Sequence, residues 1–197
     1  MPRSLPPALL GLSLIFAACT SRDMPPDAAT TPEDQFWSGI TKLCGKAYAG
    51  RVVDVAPPDT SFADKMLVID VRGCDEREIL IPFHVGENRS RTWIITRTDS
   101  GLRLKHDHRH ADGVEDSLTQ YGGDTREGGS VEKQEFYADA YTAELIPAAA
   151  ANIWTIEKLA DSMLVYSLRR EGTNRRFRAE FDLRRPVPPP PAPWGHP

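Results

Sequence analysis

The segment with the most evident capacity for chemistry is Leu102-Arg103-Leu104-Lys105-His106-Asp107-His108-Arg109-His110-Ala111-Asp112-Gly113. Side chains alternate between the two faces of a strand. Leu102, Leu104, His106, His108 and His110 therefore share one face, and Arg103, Lys105, Asp107 and Arg109 make the wet one. A His-x-His pair on a strand holds two imidazoles about 6–7 Å apart at the backbone, within reach of one metal ion. His110 is twice as far from His106, so it joins them only if the strand breaks. Asp112, Glu115, Asp116 or His84 would complete such a site, and zinc suits nitrogen and oxygen donors. The competing reading is structural, with imidazoles at a strand end hydrogen-bonded to backbone or to nearby acids. No His-Glu-x-x-His or other complete metal signature is present, so no cofactor is expected and zinc is the alternative.

Other chemistry is thinly signalled. The serines lie in turn contexts, and no Gly-x-Ser-x-Gly marks a nucleophile. Tyr121-Gly122-Gly123-Asp124 and Gly128-Gly129 fall in the segment Ala111–Lys133. They are not a phosphate loop, because no Gly-Lys-(Ser or Thr) follows. A loop of that length in a small domain is functional or mobile. Since it follows the histidines, it is expected either to lid their end of the domain or to be a surface loop.

These side chains need elements to position them. Thr31-Pro32-Glu33-Asp34 offers an N-cap, a proline at the first helical position and an acid at the third. Phe36, Trp37, Ile40, Leu43 and Cys44 then recur at helical spacing, and Gly45 stops the helix. Beyond it the signals are mainly β. Strands are expected at 47–55, 65–72, 78–85, 92–98, 102–108, 134–138, 153–159, 163–170 and 176–183, with a helical turn near 146–151. In the last strand Phe177, Ala179, Phe181 and Leu183 face one way and Arg176, Arg178, Glu180 and Asp182 the other, as in a half-wet antiparallel sheet. The expectation is an antiparallel meander of eight or nine strands in a closed or nearly closed barrel, with one short N-terminal helix and the histidines at a mouth. A sandwich is the alternative.

A short helix carrying a tryptophan and leading into a β-meander resembles the calycins, the lipocalins and their relatives. The resemblance implies that Trp37 packs near the barrel floor against an arginine of the last strand, Arg178 or Arg184. It also implies binding of a small apolar molecule. The lipocalin Gly-x-Trp motif is absent; Trp37 precedes Gly39.

A second resemblance concerns the start of the chain. Arg3, an apolar run through Phe16 and the small pair Ala17-Ala18 have the layout of a secretory signal. Cys19 follows directly, so Leu14-Ile15-Phe16-Ala17-Ala18-Cys19 resembles the lipobox of bacterial lipoproteins, with Phe16 in place of the usual Leu. The resemblance implies cleavage after residue 18 and acylation of Cys19, which gives stable anchoring. Thr20 in place of Asp implies the periplasmic face of the outer membrane. Residues 19–31 then read as the lipidated cysteine and a flexible tether. Residues 32–185 read as a single domain, and residues 186–197 as a Pro-rich tail, either a solvated end or a partner ligand.

With Cys19 acylated, Cys44 and Cys74 remain, and beyond the cytoplasmic membrane such a pair is normally oxidised. No Cys-x-x-Cys spacing supports a redox or metal pair. The formal net charge is −4 and becomes one unit more acidic when Arg3 is removed, which disfavours nucleic acid. The expected function is a lipid-anchored cell-envelope protein that binds a small apolar ligand or an envelope protein without catalysis. The alternatives are a zinc-binding protein or metal-dependent hydrolase, and a structural envelope lipoprotein.

Overall fold

The computed structural model describes Met1, residues 30–62 and residues 64–196. Residues 2–29 lie outside the described residues, and with them the lipobox, Cys19 and nearly all of the tether. Among the described residues no helix is long and apolar enough to cross a membrane.

The order of elements is α1 (Pro32–Thr41), β1 (Lys46–Ala56), a 3-10 turn at Thr60–Phe62, β2 (Leu67–Val71), β3 (Gly73–Cys74), β4 (Glu78–Val85), β5 (Asn88–Thr98), β6 (Gly101–His108), β7 (Tyr121–Asp124), β8 (Lys133–Ala138), α2 (Ala140–Leu145), a 3-10 turn at Pro147–Ala149, β9 (Asn152–Leu159), β10 (Met163–Arg170) and β11 (Arg176–Val187). From β4 to β11 each strand pairs antiparallel with the next. β1 pairs with β11 and β2, and β2 pairs with β4, which closes the sheet. β3 pairs with β4 alone, so ten strands form the ring. Full closure leaves no long unpaired edge, the hazard of open sheets.

The nine expected strands are all present, and the tenth member of the ring is β7. It divides Ala111–Lys133, which is therefore not one loop. The connector before β7 lies at the histidine end. The connector after it lies at the α1 end, where a Cβ on Gly128 would stand 3.2 Å from the Glu33 carboxylate. The Gly122-Gly123 pair, which reads as loop, is what lets β7 fit. A Cβ on Gly122 would collide with the Leu104 carbonyl, and one on Gly123 with that of Tyr137. The expected helical turn at 146–151 is the short 3-10 turn. α2 precedes it, capped by Asp139, which accepts a hydrogen bond from Thr142 N at 2.8 Å.

α1 forms for the reasons legible in its residues. Asp34 N donates to Thr31 Oγ1 at 3.1 Å and Thr31 N donates to Asp34 Oδ2 at 3.2 Å, a reciprocal cap. Its buried Phe36, Trp37 and Ile40 join the barrel core and plug one end. Arg97 of β5 lies over the Trp37 ring at 4.7 Å and pairs with Asp34 at 2.5 Å. Arg178 and Arg184 do not take that part. Phe177, Ala179, Phe181 and Leu183 face the core, so even-numbered side chains of β11 point outward. Arg178 pairs with Glu180 at 2.9 Å and Arg184 with Asp182 at 2.8 Å. Cys44 and Cys74 form a disulfide, with Cα atoms 6.4 Å apart, that ties the end of α1 to β3.

The tail is not a free solvated end. β11 continues to Val187, which pairs with Ala47. The chain then crosses the outer wall. Arg89 Nη1 donates to Ala192 O and Trp194 N donates to Arg89 O, both at 3.1 Å. His196 Nε2 donates to Asp107 Oδ2 at 2.5 Å. Asp107 was expected on the wet face, and it does point outward, but it is only 1% exposed. Arg109, Gln120 and His196 cover it and satisfy its oxygens.

Candidate functional site

The barrel end opposite α1 holds a pocket of about 290 Å³. β6 and β10 end there, and β5, β9 and β11 begin there. The turn carrying Phe62 reaches over it from β1, and the segment carrying Ile146 and Ala149 reaches over it between β8 and β9. Aromatic rings form the wall. Trp93 stacks on Tyr166 with centroids 4.2 Å apart and planes 17° apart. Tyr121 stacks on His106 at 4.8 Å and 12°. Phe62, Phe83, Trp154 and Phe177 add further aromatic surface.

His106 and His108 both face this pocket, as alternation along β6 requires. His106 is 3% exposed. Its Nδ1 lies 3.1 Å from the Tyr121 carbonyl oxygen, and its Nε2 lies 2.7 Å from the Tyr166 hydroxyl. A carbonyl only accepts, so Nδ1 carries the proton, Nε2 is the acceptor, and Tyr166 donates to it. Both ring nitrogens are thereby occupied. His108 Nε2 is hydrogen-bonded to the Tyr121 hydroxyl at 3.0 Å.

Burial sets the charge state of this cluster. Desolvation pushes His106 down to about 3, against the opposing effect of the hydrogen bond that it donates to the Tyr121 carbonyl. It pushes His108 down to about 4, helped by the nearby Arg91 charge. It pushes Tyr121 up to about 12 and also raises Tyr166 well above the usual phenol range. All four groups are uncharged at neutral pH.

The other anticipated ligands lie elsewhere. His110 is exposed beyond the end of β6, in a turn where its N–H donates to Val114 O. Asp112 is exposed in the same turn and accepts from Val114 N at 3.0 Å. Glu115 pairs with Arg109, and Asp116 accepts from Leu118 N. His84 is buried on the outer wall, because Phe83 and Val85 take the inward positions of β4. It lies beside Pro188, Pro190 and Pro191 of the tail, and burial pushes it down to about 4. Of the candidate ligands His84, His106, His108, His110, Asp112, Glu115 and Asp116, only His106 and His108 converge. Among the described residues no group of three or more His, Cys, Asp or Glu side chains could hold a metal ion.

Three pocket residues escaped sequence reasoning: Arg91, Arg170 and Arg175. The signal was present in the alternation. Arg91 shares the inward parity of Trp93 and Ile95, Arg170 that of Tyr166 and Leu168, and Arg175 that of Phe177. Each is a charged residue that continues an apolar face toward the mouth, the pattern that singled out the histidines.

No family profile, curated protein or solved structure matches this chain.

Proposed function

We propose that the protein is a lipid-anchored component of a bacterial cell envelope whose barrel mouth binds a small molecule without transforming it. The observation that carries this reading is the mouth pocket, a concave, largely aromatic site with a few convergent polar groups, the usual form of a small-molecule site. Its size, about 290 Å³, suits a compact ligand. The state of the polar groups favours binding over catalysis. The histidines and tyrosines are neutral and hydrogen-bonded to one another or to backbone, whereas a general base works best with a pKa near the operating pH. The envelope location rests on Cys19 and the signal that precedes it. The tether from Cys19 would hold the barrel at the periplasmic face of the outer membrane.

Native mass spectrometry of the full chain, extracted from its own membrane in mild detergent, tests the proposal. The expected result is a co-purified small molecule that is lost when the mouth is filled by Leu168→Trp. A wild-type spectrum carrying only the lipid anchor, unchanged by addition of a small-metabolite extract, would count against a binding role.

A further inference from the structure

We infer that the mouth pocket takes a small planar organic anion, its rings against the aromatic wall and its acidic group held by Arg91, Arg170 and Arg175. The inference rests on the small-molecule reading of the same pocket and specifies the ligand class. Charge is the first observation. The charged side chains lining the pocket are these three arginines and Asp59, an excess of two positive charges in a chain whose formal net charge is −4. The neutral histidines contribute none of it.

Satisfaction is the second. His106 has both nitrogens paired, and His108 pairs with Tyr121. The side-chain hydrogen bonds of Arg91 and Arg170 go to neutral groups. Arg170 Nε donates to Asn152 Oδ1 at 2.8 Å, and Arg91 Nη1 donates to Asn88 Oδ1 at 3.2 Å and to Ser90 Oγ at 3.3 Å. Among the described residues none of the three has a carboxylate within ion-pair distance. Asp59 accepts from Ser61 N at 2.9 Å, and its carboxylate is held low first by the Ser61 hydrogen bonds and then by the charges of Arg175 and Arg91, which stand beyond ion-pair distance. A guanidinium presents five N–H donors in a planar fork that matches a carboxylate or another oxyanion. Partly buried cations without a carboxylate partner are costly unless something anionic arrives.

Shape is the third. Planar side chains dominate the lining, with Trp93 stacked on Tyr166 and Tyr121 on His106, and aromatic rings pack favourably against a ring system. The volume admits a fused bicyclic acid.

Naphthoate and its neutral counterpart naphthamide separate the roles of charge and shape. Isothermal titration calorimetry on the full chain in lipid nanodiscs, with empty nanodiscs as reference, is expected to show naphthoate binding at least about tenfold more tightly than naphthamide. Arg91→Gln, Arg170→Gln and Arg175→Gln should each weaken naphthoate by about tenfold and leave naphthamide within about twofold. Arg175 lies in the turn before β11, so its variant is the least dependent on refolding of the barrel. Equal affinity for acid and amide, or variants that weaken both alike, would overturn the anion inference and leave the small-molecule reading standing. No saturable binding of either compound up to its solubility limit would overturn both.

Discussion

His106 and Tyr166, sixty residues apart in the chain, meet inside the barrel with Nε2 and the hydroxyl 2.7 Å apart. Tyr121 O fixes the proton on the other ring nitrogen, so Tyr166 must be the donor. Tyr166→Phe leaves a buried acceptor without its partner and changes little else. It is expected to cost roughly 1–3 kcal/mol in unfolding free energy, read from urea titration. A change too small to measure would mean that water replaces the hydroxyl.

Acid should destabilise the fold well before most carboxylates titrate. In the unfolded chain histidines take up protons near pH 6.5, whereas burial holds His106 to about 3 and His84 and His108 to about 4. Between those values the unfolded state binds more protons, so stability falls as pH falls. The contribution is complete above pH 6.5 and declines as the medium approaches pH 4, by on the order of 3 kcal/mol per histidine. Denaturant titrations stepped across that window should show the slope, and His108→Gln should reduce it. A flat profile would contradict the neutral buried state.

Reduction of Cys44–Cys74 releases a loop with a sequence separation of 30 residues and frees the end of α1 from β3. The chain-entropy model gives a loss of roughly 3–4 kcal/mol. The paired substitution Cys44→Ser with Cys74→Ser should lower the guanidinium midpoint as reducing agent does. Unchanged midpoints in both would show that α1 is held by packing alone.

The tail should contribute to stability through its last residues. Burial would raise Asp107, but hydrogen bonds from Arg109 and His196 outweigh it and hold the carboxylate charged. His196→Ala removes one of those charge-assisted bonds and is expected to cost roughly 1–2 kcal/mol. His110→Ala, at an exposed turn, is the control and should stay within about 0.5 kcal/mol. Equal effects from the two variants would mean that the tail does not hold Asp107 in solution.

The lipid-anchor proposal makes its own prediction. Cys19→Ala should abolish incorporation of labelled palmitate and move the protein out of the outer-membrane fraction. Retention of both label and location would remove Cys19 as the attachment point.

Much of the fold was legible because alternation is a local property of the pleated chain. The side of β6 that carries Leu102, Leu104, His106 and His108 follows from residue order alone, as do the inward face of β11 and the capped, amphipathic α1. The same parity also marks Arg91, Arg170 and Arg175 as inward residues. What residue order could not supply is adjacency. Arg170 and Arg175 flank a single hairpin turn, but Arg91 comes from a distant part of the chain, and only closure of the ring brings the start of β5 to the same pocket as the end of β10 and the start of β11. Gly122-Gly123 reads as a loop because its function is to admit β6 and β8 at close range, and those neighbours are set by pairing. Asp107 reads as a solvated residue because its cover, His196, lies 89 residues away. Parity is decided by the pleat between neighbouring residues, whereas neighbourhood is decided by which distant strands exchange hydrogen bonds. The sequence alone therefore determined which way His106 and His108 point, and the tertiary structure decided what they meet.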